Sequence, residues 1–130
     1  MPCDIGRLPL ISREDPASFK TVQELLADSA QWLSSTSGET LLQEALDRST
    51  DFSLENAAEA LTQKPVLCIA GTLDIYTPPV LHCEPLLRAI QAAGGALLQT
   101  VYYPTDHFFA DYRLTVAETV TEFLKKQTFK

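Results

Sequence analysis

The chain has 130 residues, enough for one domain with a buried core and short for two. Hydrophobic residues make up 45% of it, the share of an ordinary globular protein. Its formal net charge of −7 leaves no basic patch to neutralise phosphates, which argues against a nucleic-acid partner.

Three cysteines, Cys3, Cys68 and Cys83, are odd in number and lack metal-ligand spacing. A disulfide scaffold is therefore not expected, and a reducing, cytoplasmic setting is. No basic segment followed by an apolar one opens the sequence. No apolar run reaches the length that spans a bilayer, so no membrane partner is expected either.

Residues 1–13, with two prolines and a glycine, read as an irregular lead-in. Asp15-Pro16 then gives a helix start, the aspartate as cap and the proline in the first turn. Phe19, Val22, Leu25, Leu26, Ala30 and Leu33 follow at a 3.6-residue period, and the serine-rich stretch ending at Gly38 should stop the helix. A second helix is expected from Glu39 to Asp47, with Leu41, Leu42, Ala45 and Leu46 inward. A third opens at Ser53, where Asn56 rather than Glu leaves the capping box imperfect. Residues 1–63 thus form a lead-in and a helical segment, and residues 64–130 a second part.

That second part opens on Val66 to Ala70, an apolar run bounded by Pro65 and Gly71, which reads as a strand buried on both faces. A loop follows, then a helical pattern from Pro79 to Ala93 ended by Gly94-Gly95. A second apolar run, Leu97 to Tyr103, is closed by Pro104. The last helix is expected from Ala110 to Lys126, with Leu114, Ala117, Val120, Phe123 and Leu124 on one face. Strand, helix, strand and helix make a βαβα order with parallel strands and a right-handed crossover. The fold class expected from this is α/β. In such sheets the chemistry gathers beyond the carboxyl ends of the strands, where Asp74 and His107 both stand.

An aspartate and a histidine are two of the three parts that nucleophilic hydrolysis needs. The histidine takes the nucleophile's proton; the aspartate accepts the other imidazole N–H and fixes the tautomer. A helix-capping Asp74 and a solvated His107 explain the same residues without chemistry; their shared position at neighbouring strand ends favours the pair. His82 reads as a partly exposed surface residue, and a metal site from Asp74, His82 and His107 lacks any recognised ligand spacing. Asp106 either tunes His107 or faces solvent. Trp32, Phe108 and Phe109 read as core anchors, and Tyr76 as core or pocket rim. Cys68 packs within its strand, and Cys83 lies on the following helix; neither is placed for attack.

The segment Lys-Pro-Val-Leu-Cys-Ile-Ala-Gly-Thr-Leu-Asp at 64–74, then Thr-Pro-Pro at 77–79, then Asp-His-Phe-Phe at 106–109, resembles the C-terminal part of an α/β-hydrolase. The style is similar to bacterial esterases and prolyl-oligopeptidase-like serine hydrolases. In that family a strand ending in Gly-x-x-Asp supplies the triad acid, and a loop of the form Asp-His-x-Phe supplies the histidine. The resemblance covers residues 64 to 127. It implies that Asp74 is the acid and His107 the base, in the family's chain order. It also implies that residues 64–130 are the C-terminal βαβα portion of the hydrolase core, preceded by cap-like helices.

The family's nucleophile sits in a Gly-x-Ser-x-Gly elbow. This chain has five glycines, at 6, 38, 71, 94 and 95, and no two are four apart, so the elbow is not in it. Ser34, Ser35, Ser37 and Ser53 lie at helix ends, where serines act as caps. The expectation is a fragment of a serine hydrolase, for ester or amide substrates, that carries acid and histidine but no nucleophile and is inactive alone. No cofactor and no metal are expected. The expected partners are a second copy of the chain or the missing N-terminal portion. The alternative is a non-catalytic α/β module acting through homo-oligomerisation or partner binding, because a two-stranded sheet leaves open edges.

Overall fold

The computed structural model describes residues 4–127; Cys3 lies outside them. Its contacts divide the described chain into two compact units, residues 4–54 and 55–127.

The first unit is helical throughout. Residues read as an irregular lead-in instead form a 3-10 turn, Ile5–Arg7, and a helix α1, Leu8–Glu14. Pro9 sits in the first turn of α1, where its missing N–H costs nothing, and Leu8 and Ile11 are buried. Helix α2 spans Pro16–Ala30; the Asp15 carboxylate caps it by accepting from the Ser18 amide at 3.1 Å and the Ser18 hydroxyl at 2.9 Å. It ends before Leu33, which is exposed, as is Trp32, so Trp32 is no core anchor. Helix α3, Gly38–Asp47, is capped by Ser37, which accepts from the Thr40 amide. Leu8 of α1, Val22 of α2 and Ala45 of α3 make the buried core of this unit, flanked by Phe19, Leu26, Leu42 and Leu46. A single turn α4, Ser49–Phe52, closes it.

A 3-10 turn, Leu54–Ala57, leads from the last residue of the first unit into the second and runs into a single turn α5, Ala58–Leu61, in place of one continuous third helix. Strand β1, Val66–Gly71, follows. The helix expected over Pro79–Ala93 is broken into α6, Pro79–His82, and α7, Glu84–Ala92. Pro85 explains the break: it has no N–H to donate, and its ring crowds the carbonyl four residues back, at Leu81. Gly94, at φ +89°, ends α7. Its amide bonds the Gln91 carbonyl and the Gly95 amide the Ile90 carbonyl, the paired bonds of a Schellman ending. Strand β2, Leu98–Tyr103, then pairs parallel to β1, with Val66 opposite Leu98 and Gly71 opposite Tyr103.

Helix α8, Arg113–Lys125, starts three residues later than expected. The Asp106 carboxylate accepts from the Phe108 and Ala110 amides, and Phe109 takes a left-handed φ of 53°, so the backbone between is committed to a loop. The inward face of α8 keeps Val120, Phe123 and Leu124 of the expected one but differs in its first turn. Leu114 is exposed, whereas Val116, Val120, Phe123 and Leu124 face β1 and α7 across an apolar groove. The stacked rings of Tyr103 and Tyr112 and a 2.6 Å bond between the Tyr103 and Thr119 hydroxyls tie α8 to β2.

The expected fold class is overturned. The described chain is 59% helical, and its only sheet has two parallel strands. This is not the βαβα portion of an α/β-hydrolase core. Strand periodicity was placed correctly at β1 and β2, but two strands of six residues each cannot set the class of a chain whose apolar residues otherwise recur at helical spacing. Among the described residues no helix is long and apolar enough to cross a membrane.

Leu8 is fully buried between α2 and α3, so Leu8→Ala leaves a cavity that helices of this length cannot close. Urea unfolding followed by circular dichroism should show a loss of about 2–5 kcal/mol, with the slope against urea retained.

Candidate active site

Asp74 stands three residues beyond the end of β1, in a turn built around its own side chain. Its Oδ1 accepts from the Tyr76 amide at 2.9 Å and the Thr77 amide at 2.8 Å; its Oδ2 accepts from the Thr77 hydroxyl at 2.9 Å. This is an Asx turn, in which a short carboxylate reaches backbone N–H groups two and three residues on. The Asp74 amide in turn donates to the Gly71 carbonyl, tethering the turn to the strand.

His107 arrives from the loop after β2, whose approach depends on Gly71. A Cβ there would lie 2.6 Å from the Thr105 carbonyl oxygen and 2.8 Å from that of Asp106, both backbone atoms. Glycine lets the loop lie directly over the end of β1. The Thr72 amide donates to the Tyr103 carbonyl and the Leu73 amide to the Thr105 carbonyl, which carries the parallel ladder beyond the last strand residues. Asp106 acts on this loop through the Phe108 and Ala110 amides.

The two side chains meet. His107 Nδ1 lies 2.8 Å from Asp74 Oδ2 and 3.3 Å from the Thr77 hydroxyl. An ionised carboxylate only accepts, so the hydrogen between the rings' nitrogen and the acid is on Nδ1, and Nε2 carries the lone pair of the neutral imidazole. Asp74 is 4% exposed, while the His107 side chain keeps 27% of its surface open. Tyr76 and Phe108 stand edge-on to the imidazole, with centroids at 5.5 and 5.2 Å. Phe108 is itself exposed, so it is a wall of the site rather than a core anchor; Phe109 lines the α7–α8 groove.

Burial raises the Asp74 pKa, but the Thr77 amide, the His107 side chain and the Thr77 hydroxyl together outweigh it and hold the carboxyl below its ordinary value. A buried acid and a partly open histidine joined this way can orient an imidazole, fix its tautomer and stabilise its protonated form. His82 has no part in this. It is fully buried on α6, not partly exposed, and no group of three His, Cys, Asp or Glu among the described residues is placed to hold a metal.

The chain matches no protein-family model, no curated protein and no solved structure.

Asp74 and His107 stand out in the sequence; Thr77 has no role there, and Gly71 only that of ending the strand. Thr77, 1% exposed, donates from both amide and hydroxyl to Asp74. The signal was present in the spacing, since a threonine three residues after an aspartate is the pattern of a side-chain-closed turn.

Asp74 is a stronger acid in the folded chain than in the unfolded one. Its ionised form therefore stabilises the fold above the ordinary carboxylate pKa of about 4, and that contribution is lost as pH falls through the lowered folded value. Asp74→Asn removes this dependence and, at neutral pH, costs about 1–3 kcal/mol by unmatching the donors around the carboxylate. Urea midpoints measured from pH 7 down to about pH 2 should fall more steeply for the native chain than for the variant; parallel curves would contradict the pairing.

Proposed function

We propose that Asp74 and His107 are the acid and the base of a serine-hydrolase triad whose nucleophile lies outside these residues, so that the chain is the C-terminal fragment of an enzyme cleaving esters or amides. The observation that carries this reading is the 2.8 Å contact of a buried carboxylate with Nδ1 of a partly open histidine, each held at the end of one of two parallel strands. Nε2 is then the atom that takes the proton of an attacking hydroxyl and returns it to the leaving group. Resemblance of the motifs at 64–74 and 106–109 to the hydrolase family supports the same roles. The absence of a Gly-x-Ser-x-Gly elbow puts the nucleophile elsewhere.

Hydrolysis of p-nitrophenyl acetate by the chain alone should match that of Asp74→Ala and His107→Ala. A specific turnover abolished by both changes would mean that a nucleophile lies within the chain. Joined to an N-terminal segment bearing the elbow, Asp74→Ala should lower kcat by roughly 10⁴-fold and His107→Ala by roughly 10⁶-fold. An unchanged kcat would overturn the assignment.

A second reading, association without catalysis, is favoured by β1. Among the described residues it has one strand neighbour, and its other side borders the apolar groove walled by α7 and α8. Open strand edges pair with other chains, so a second copy is the partner this reading expects. Sedimentation of the purified chain, read beside the joined form, separates the two: a stable, monodisperse dimer whose form joined to an elbow-bearing segment shows no ester turnover sensitive to His107→Ala favours association.

A further inference from the structure

Two buried sulfurs take no part in the dyad. Cys68, in the middle of β1, and Cys83, between α6 and α7, place their Sγ atoms 2.8 Å apart. Cys68 is 8% exposed and Cys83 fully buried, and both are free thiols. They share one apolar cluster with Ala70 and Leu87. A disulfide bond is about 2.05 Å long, so the sulfurs need to close by less than about 1 Å to bond. Cys68 also walls the groove between β1, α7 and α8, a space of about 600 Å³ that reaches solvent.

We propose that Cys68 and Cys83 form a modification site, a dithiol that hydrogen peroxide converts to a disulfide clasping β1 to the start of α7. The Cys68 sulfur, reached through the groove, attacks one peroxide oxygen; the O–O bond breaks, Cys68 becomes a sulfenic acid, and the departing hydroxide takes up the proton released by the Cys68 thiol and leaves as water. Cys83 sulfur then attacks Cys68 sulfur, and the sulfenic oxygen departs as water with the Cys83 proton. Two thiols and one peroxide become one disulfide and two waters, with two electrons passing from sulfur to oxygen. Roles follow from access: Cys68 walls the groove, whereas Cys83 is fully buried behind it, and the hydrogen bond between the thiols agrees with this. With Cys83 donating, the Cys68 pKa is lowered, which suits the attacking sulfur, while the Cys83 thiol is raised far above its usual range and keeps its proton until the second step.

The closed loop would contain the whole Asp74–Thr77 turn, yet the site is independent of any role for Asp74. Its test uses the chain with Cys3→Ser, which leaves only these two thiols, treated with hydrogen peroxide. Titratable thiols in the denatured protein should fall from two to none, and the intact mass by two hydrogens. A chymotryptic digest should yield the Cys68 and Cys83 peptides joined, and dithiothreitol should separate them. The unfolding equilibrium constant should drop on the order of 100-fold on oxidation, as expected for closing a loop of about 15 residues. With Cys83→Ser added, dimedone should capture the sulfenic acid at Cys68. Two thiols that stay titratable, Cys68 driven to sulfinic acid beside a free Cys83, or equal cross-linking in the urea-unfolded chain would each overturn the proposal.

Discussion

A carboxylate taken out of water has to be given back its hydrogen bonds, and the arrangement around Asp74 follows from that requirement. Four donors converge on it: two amides and a hydroxyl from the turn that it closes, and the imidazole of His107. The turn residues are local and cheap to recruit. The imidazole comes from 33 residues away and reaches the acid only because β1 and β2 run parallel and because Gly71 lets the second loop lie across the end of the first strand. The site is therefore a product of strand direction and of one missing side chain as much as of its two titratable groups.

What the residues revealed in advance was local. Apolar runs bounded by Pro65, Gly71 and Pro104 located both strands, and the residues just past their ends located the dyad. Side-chain partners of the acid were harder to foresee, because a threonine serves as well in a strand or on a surface, and only the closed turn shows why Thr77 is buried. His82 is a related case: a polar residue near the start of a helix reads as partly exposed, but α6 folds it inward. Helix phase was another weak point. On α8, Leu114 and Ala117 extended the stripe of Val120, Phe123 and Leu124 as well as Val116 does, and only packing against β1 selects between them.

The fold class failed at a different level. Each element between Val66 and Lys125 is where its sequence put it, give or take the break at Pro85 and the late start of α8. The class, however, depends on how many strands a sheet gathers, and strands that a resemblance implies are not strands that a chain contains. With two strands and a helical majority, the sheet serves as a bracket for two loops rather than as the floor of a layered core.

Parallel pairing has one more consequence, and it concerns folding. In a parallel ladder every rung joins residues the same distance apart along the chain, from Val66–Leu98 to Gly71–Tyr103. The entropy of closing that loop is spent at the first rung, and each later rung adds bonds without enclosing more chain. Asp74 and His107, at nearly the same separation, lie on the continuation of that ladder. The dyad then assembles in the same event that zips the strands, and it should dissolve in the same event too, so that the site has no unfolding transition of its own.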